Sequence, residues 1–427
     1  MHFNIKDTGP NESDEQNLIE NLLGNLNINN ELEELNIKYG FNESLNIKRN
    51  KIDFINPEIW KRARWWCNDY DFLVKDPIIN RAFYKFWEIL NEFNLFEDIK
   101  ETDIIYHCAE APGGFIQASN IFLQLDSSTV CSFKKQIIAD VVDSDGFTQV
   151  RKNKSRYEPR VYKIFTISLN KDLPQYKSYN LPSYNKSILN KHVFVTYGKD
   201  NTGDINKVDN IFYIKDLIRR QKKDGFHLIT SDLGFDEGNE FNNKEQLHCS
   251  AITNCILNAI FLQQDNGHYV LKVFDIFTET SIQLLYLLNT MYEEIYVYKP
   301  KTSRPSNSEK YIICKGFCGN DNLEYKNKVI DILVNLSNKF KSKNNVSVTK
   351  YVSFKLFKEI PQSFIEKIKE MNTVLLDSQN SFLDKAIALC ESPEFMNNYD
   401  KELNFYMEKR KATFKEWETH YNLHVFI

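Results

Sequence analysis

One lysine, Lys272, interrupts the otherwise apolar run HYVLKVFD. A lysine in such a run is costly to bury unless it is paired or used. Desolvation or a neighbouring cation lowers a lysine's pKa, and a lysine so adjusted can take a proton from a weakly acidic hydroxyl. Two other runs supply carboxylates. ITSDLGF sets Asp232 at the end of a β-branched run, where an aspartate caps a helix or faces a ligand beyond the strand. KPKTSRPSNSEKYIIC closes a polar loop on Glu309, immediately before another apolar run. A further run, CAEAPGGF (Cys108–Phe115), turns through Pro112, Gly113 and Gly114 directly after IIYHC. A strand that enters such a turn and opens a helix lets backbone approach a ligand closely, because glycine puts no side chain in the way. It is not a Walker loop, since no Gly-Lys-Ser/Thr follows, and it does not match GxGxxG. Taken singly, each has a plain structural reading: an ordinary turn, a helix cap, a lysine snorkelling from a strand end.

These residues need elements to carry them. Strands are predicted at IIYHC (104–108), QIIADVV (136–142), VYKIFTIS (161–168), FHLITSD (226–232), HYVLKVF (268–274), EEIYVY (293–298) and KYIIC (310–314). Amphipathic helical patterns lie between several of them, at 78–90, 211–223, 245–264 and 278–292. Strands alternating with helices predict an α/β fold with a mostly parallel, doubly wound sheet. The last two strands are close enough to form an antiparallel hairpin. Residues 1–50 are rich in asparagine and read as a poorly ordered or accessory extension. The stretch from 325 to 427 reads as mainly helical, with an extra strand at VSVTKYVSF.

Composition narrows the function classes. The chain has 427 residues, 42% of them hydrophobic, with 54 Lys+Arg against 58 Asp+Glu for a formal net charge of -4. That supports a large core and excludes global disorder and a uniformly basic nucleic-acid coat. Any nucleic-acid contact must use local patches. No signal-peptide pattern opens the sequence, no stretch is long and apolar enough to cross a bilayer, and the eight cysteines show no CxxC pair or zinc spacing. His248, Cys249 and Cys255 belong to an amphipathic helix and are expected in the core, so no metal is expected. Abundant Asn, Ile and Lys fit an AT-rich genome, such as that of a large DNA virus or a protist. Cysteine usage points to a reducing compartment.

The blocks NRAFYK (Asn80–Lys85), CAEAPGGF, SDLGF, GHYVLKVFD and KPKTSRPSNSEKYIICKGF together, in this order, resemble the FtsJ-like family of ribose 2'-O-methyltransferases, most closely its mRNA-cap branch. The resemblance covers about residues 60–320 and extends more weakly to 390, which implies a methyltransferase domain of the Rossmann-like class over 51–390 between an N-terminal extension (1–50) and a C-terminal helical extension (391–427). It implies S-adenosylmethionine as methyl donor and a Lys-Asp-Lys-Glu tetrad at Lys85, Asp232, Lys272 and Glu309. The donor is expected against Ala111, Pro112, Gly113, Gly114, Phe115, Ile116 and Gln117, and against Asp204 and Ile205 after Gly203. Glu110 departs from the family, standing where relatives often have a small residue.

The implied chemistry suits these residue types. A ribose 2'-hydroxyl is a weak nucleophile whose proton must leave as it attacks the methyl group; Lys272 would take it, with its pKa lowered by the apolar strand and by Lys85. Asp232 would orient the lysines and Glu309 would bond to lysine or ribose. The resemblance further implies capped mRNA as partner, phosphate contacts from Arg62 and Arg64, and cap contacts from Asn242, Asn243 and Lys244 in the loop 236–244. Other capping or transcription proteins are possible partners, in the cytoplasm or, for a cellular enzyme, the nucleus. Two rival readings are methylation of ribosomal or transfer RNA and an inactive RNA-binding scaffold of the same fold.

Overall fold

The run IIYHC is buried along its whole length and forms an interior strand of the sheet. The computed structural model describes residues 1–427 apart from 8–14, 25, 72–73, 75, 101, 124–161, 222, 235–239, 341–350 and 424–427. Among the described residues, one sheet contains β1 (His2–Asn4), β2 (Ile104–Cys108), β3 (Lys163–Ile167), β4 (Val193–Thr196), β5 (Phe226–Ser231), β6 (Gln263–Val273), β7 (Tyr292–Tyr298) and β8 (Lys310–Phe317). Their order across the sheet is β1-β7-β8-β6-β5-β2-β3-β4. From β4 through β6 all neighbours are parallel; β8 runs antiparallel between β6 and β7, and β1 antiparallel to β7. The chain builds outward from β2 to β4, then returns to lay β5 on the other side of β2. That reversal opens a crevice at the carboxyl ends of β2 and β5, the place where such sheets bind ligands.

The longer helices are α1 (Glu15–Asn21), α2 (Ser44–Asp53), α3 (Pro57–Cys67), α4 (Arg81–Phe93), α5 (Gly114–Leu123), α6 (Val208–Arg220), α7 (Cys249–Leu262), α8 (Glu279–Met291), α9 (Leu323–Lys339), α10 (Gln362–Cys390) and α11 (Pro393–His420). Alternation along β2 splits the core into two layers. Ile104, Tyr106 and Cys108 pack with apolar residues of α6, α7, α8 and α9, whereas Ile105 packs with those of α4 and α5.

Most predicted strands lie where the pattern put them, and β7 and β8 form the expected hairpin. β6 starts earlier than expected because Gln263 pairs with Phe226 across an irregularity in the register. The strand expected at 136–142 lies outside the described residues, as does most of VSVTKYVSF; within the latter, Ser353 makes one antiparallel bridge with Asn29. Two strands went unpredicted. β4 has only four residues, and β1 is a polar tripeptide that alternation cannot reveal.

The described part of residues 1–50, expected as a poorly ordered or accessory extension, makes contacts with the sheet and with α8 and α10. β1 closes the sheet edge through His2↔Tyr298. The Asp7 carboxylate accepts from Ser363 and Lys367 on α10. The Glu33 carboxylate accepts from the backbone at the start of α8 and, at 2.8 Å, from the Thr280 hydroxyl. Asn36 and Asn42 accept from backbone two residues on, the local bond that suits asparagine to turns and caps.

At the other end, α11 lies against α4. Trp417 donates its indole N–H to Glu88 at 2.7 Å, and Trp87 donates to the Tyr421 carbonyl at 2.9 Å. Glu88 is fully buried and also accepts from the backbone N–H of Lys301 (2.8 Å) and Thr302 (3.1 Å) and from the Tyr298 hydroxyl (3.2 Å). One carboxyl thus ties α4, α11 and the loop 299–309 together. Glu88→Ala leaves several buried donors without an acceptor, each costing about 1–3 kcal/mol. The expected loss of stability is about 3 kcal/mol or more, read as a lowered urea midpoint; a change under about 1 kcal/mol contradicts this role.

Candidate active site

Strand register brings the first two charged residues together. Ser231 of β5 lies opposite Leu271 of β6, so the next residues, Asp232 and Lys272, are neighbours at the strand ends. Lys272 Nζ is 3.3 Å from Asp232 Oδ1. Across β6, Lys272 is paired with Tyr311 of β8, whose hydroxyl donates to the same Asp232 oxygen at 3.1 Å. Glu309 immediately precedes β8, and Lys85 reaches it from the first turns of α4, with Nζ 2.7 Å from Oε1. The Ser303 hydroxyl donates to that oxygen at 2.9 Å, and Lys299 donates to the Glu309 carbonyl at 2.7 Å. None of the four side chains is more than 13% exposed.

Electrostatics set the charge states. Burial works to raise the Glu309 carboxyl, but Lys85 and Lys272 outweigh it and hold it far below the usual carboxylate range. Burial alone would lower Lys272. Asp232, Glu309 and Glu110 act the other way, and the balance raises it above its ordinary value. This corrects the sequence-based expectation of a lysine lowered by its apolar strand and by Lys85. The carboxylates that the fold gathers around it stabilise the ammonium, so in the ligand-free site Lys272 is a paired cation. The depressed lysines lie behind the tetrad: burial lowers Lys299 to about 7 and Lys310 to about 8. Lys310 donates to the Phe274 carbonyl.

The Pro-Gly-Gly turn lies at the carboxyl end of β2, within the crevice. Ala111 N–H donates to Ser168 Oγ beyond β3 at 3.0 Å, and the Pro112 carbonyl accepts from Asn185 N–H at 3.0 Å. Its glycines answer to protein packing. A Cβ on Gly113, whose φ is +111°, would lie 2.1 Å from the Ile188 side chain. A Cβ on Gly114 would lie 2.2 Å from Asn80 Oδ1 and 2.8 Å from Phe83 N, at the start of the helix that carries Lys85. A side chain at either glycine would thus break the contact between the turn and its neighbours. Phe115 and Ile116 point into the core, Phe115 stacking on Phe86 at 4.3 Å, and Gln117 bonds to the backbone of Pro77 and Ile79. Only their backbone is left for a ligand.

Gly203 lies against Ser168: a Cβ there would meet its carbonyl oxygen at 1.8 Å. This brings Asp204, half-buried, beside the same edge, while the Ile205 side chain enters the core. Glu110 is 3% exposed, and its Oε2 is buried with no hydrogen-bond partner among the described residues. The edge thus combines a tight turn, a half-buried Asp204 and an orphaned carboxyl oxygen, which fits a small ligand bearing positive charge.

The nucleic-acid candidates divide. Arg62 lies over the Tyr399 ring of α11 at 5.0 Å, away from the tetrad, and Trp65 and Trp66 pack on the same helix. Arg64 joins a cluster not anticipated from sequence. Asp71 pairs with Arg81 and, at 3.0 Å, with Arg304, and Arg64 lies within electrostatic reach of Arg304 and Asp71. Two guanidiniums thus pair with one carboxylate that Arg64 also senses, and Arg81 feels Glu309 as well. Arg81 and Arg304 lie inside the blocks NRAFYK and SRPSNSEKY, so proximity to Lys85 and Glu309 was the signal available; Asp71 had none. Asn242 donates to Asn50 of α2 at 2.7 Å, next to Asn243. Lys244 lies 5.2 Å from the Phe274 ring, which Lys272 approaches at 5.9 Å. Positions 236–239 of that loop lie outside the described residues.

The family model for FtsJ-like methyltransferases matches residues 78–317, more than half of the chain. The chain is 33% identical over 196 residues to a cap-specific mRNA (nucleoside-2'-O-)-methyltransferase 1A of Caenorhabditis briggsae, covering 44% of this chain and 22% of the relative. It is 26% identical over 354 residues to cap-specific mRNA (nucleoside-2'-O-)-methyltransferase 2 of Mus musculus, covering 79% and 39%. It is also 33% identical over 193 residues to an inactive cap-specific mRNA (nucleoside-2'-O-)-methyltransferase 1B of Caenorhabditis briggsae, covering 44% and 21%. The chain therefore spans well under half the length of these relatives.

Gly114→Ala tests the packing of the turn. The added methyl group must displace Asn80 or the start of α4, at a typical overpacking cost of about 1–3 kcal/mol. A lowered melting temperature is expected, together with a changed environment at Lys85; an unchanged melting temperature contradicts the close packing.

Proposed function

Because the chain belongs to the FtsJ-like methyltransferase family, we propose that it transfers a methyl group from S-adenosylmethionine to a ribose 2'-hydroxyl near the 5' cap of mRNA. The observation that carries this reading is the pair of buried ion pairs, Lys85–Glu309 and Lys272–Asp232, at the carboxyl edge of the sheet beside the Pro-Gly-Gly turn. When bound, S-adenosylmethionine supplies a methyl group on a positively charged sulfur. The turn from Ala109 to Gly113, with Asp204 across the edge, would hold it.

Lys272 would act on the attacking hydroxyl. As a paired ammonium it must first lose its proton, and the free-amine fraction at neutral pH is small because Asp232 and Glu309 stabilise the charge. Asp232, fixed by the Tyr311 hydroxyl, aims Lys272; Glu309, held by Ser303 and Lys85, completes a wall of donors and acceptors around the ribose. Holding the reacting atoms in line supplies much of the acceleration. Arg64 and Arg304 would contact RNA phosphate, with Asp71 setting their positions; such contacts position the strand without reading bases. The likeness to cap-specific relatives supports a capped substrate over ribosomal or transfer RNA, whereas the likeness to an inactive relative supports the scaffold reading. Methyl transfer to short capped and uncapped RNA separates the three. Preference for capped RNA supports the proposal, equal transfer supports a general RNA enzyme, and none supports the scaffold.

Removing the proposed base should be felt in the chemical step alone. Lys272→Ala should lower single-turnover transfer about 100-fold or more with little change in donor affinity. In the wild type the rate should rise with pH, approaching about tenfold per unit between roughly pH 7 and 9, as the ammonium deprotonates below its raised pKa. Asp232→Asn removes one stabilising carboxylate and should move this limb to lower pH; a flat profile in both proteins removes Lys272 from the role of base.

Arg64→Ala and Arg304→Ala should each weaken RNA binding and flatten its log-log salt dependence by about 0.7 on single strands. Arg62→Ala should leave the slope unchanged. Equal slopes in all three variants and the wild type would remove Arg64 and Arg304 from the RNA contact.

A further inference from the structure

Glu110 is a buried carboxyl in the candidate site that belongs to neither ion pair. It follows Ala109, whose φ is +57°, where the chain leaves β2. Oε1 accepts from the Phe115 N–H at 2.7 Å, tying the carboxyl to the start of α5. Oε2 is equally buried and has no hydrogen-bond partner among the described residues. Burial first, and then the negative charge of Asp232, raise Glu110 well above the ordinary carboxyl range; Phe115 N–H, Lys272 and Lys85 oppose them. Tyr184 and Tyr311 are the other titratable groups that sense it.

The site's charges make this carboxyl informative. Lys85 and Lys272 balance Asp232 and Glu309, so the tetrad is neutral as a set. A fifth, ionised group would leave one net negative charge in a space from which water is largely excluded, where unpaired charge is costly. A ligand that brings one positive charge removes that cost.

We propose that Glu110 is the proton-coupled counter-charge for the methyl donor: neutral while the crevice lacks a cation, ionised when the donor's sulfonium enters. This rests on the methyltransferase reading above. On donor binding the Glu110 O–H proton goes to solvent. Lys272 first releases its ammonium proton to solvent; during transfer the carbon–sulfur bond breaks with its electron pair left on sulfur, the new carbon–oxygen bond forms, and the hydroxyl's proton goes to the Lys272 amine. The spent donor is a neutral thioether, so Glu110 then recovers a proton from solvent. Glu110 thereby favours the charged donor over its spent form, which limits product inhibition.

Calorimetry of the full chain with S-adenosylmethionine and with S-adenosylhomocysteine, in buffers of different ionisation heat, reads this directly. Both ligands carry the same amino and carboxyl groups and differ by the methyl group and its charge. The wild type should release nearly one proton more on binding S-adenosylmethionine. As pH rises through the range below the raised Glu110 value, the dissociation constant of S-adenosylmethionine should fall by up to about tenfold per pH unit, and that of S-adenosylhomocysteine should not follow it. In Glu110→Gln, which preserves the acceptor for Phe115 N–H, the proton difference should vanish and the preference for the charged ligand should shrink. Equal proton release for the two ligands in the wild type overturns the proposal even if no variant folds. So does a proton difference that persists in folded Glu110→Gln. Failure of both ligands to bind instead removes the methyltransferase reading, and this inference with it.

Discussion

Two lysines and two carboxylates enter one buried edge of the sheet, and neither pair could be buried without the other group in place. An isolated charge there would cost several kcal/mol, so each residue's burial is conditional on its partner's position. Those positions come from different levels of the fold. The parallel register of β5 on β6 places Asp232 beside Lys272. The antiparallel insertion of β8 next to β6 brings Tyr311 onto Asp232 and sets Glu309 at the same edge. Lys85 arrives on a separate helix, and its approach depends on Gly114 leaving room for Asn80 and Phe83.

The peripheral segments serve this geometry. Glu88 holds the loop 299–309 from α4 and is itself bonded to Trp417 of α11, so the C-terminal helix supports the loop that ends in Glu309. Arg49 of α2 pairs at 2.9 Å with Asp275, just beyond β6, and Asn372 of α10 donates to the Ile276 carbonyl. Segments outside the region matched by the family model thus anchor both ends of the site.

What could be read beforehand follows from where the information lies. Asp232, Lys272 and Glu309 were legible because each stands out against its local run, Lys85 only through the resemblance carried by NRAFYK, and IIYHC and FHLITSD because buried strands are continuously apolar. The protonation state of Lys272 was not, since it depends on a register that brings two carboxylates within reach, whereas the sequence displays only the apolar strand. The glycines of CAEAPGGF were recognisable as a close approach, but its objects are remote in sequence: Ile188 lies far along the chain, and Asn80 caps another helix. Arg304 and Arg81 were hidden inside blocks already assigned to neighbours, and β1 is too short and polar to carry a pattern.

With no ligand bound, Lys272 stands as a carboxylate-paired ammonium and not as a free amine. Its titration can be followed by NMR of protein labelled at lysine, with the signal assigned by its loss in Lys272→Ala. The ammonium should persist to a pH above the ordinary lysine value of 10.5, and Asp232→Asn should lower its midpoint. A midpoint near or below about pH 8 in the wild type would contradict the claim, because Asp232 and Glu309 would then not govern the charge at the heart of the site.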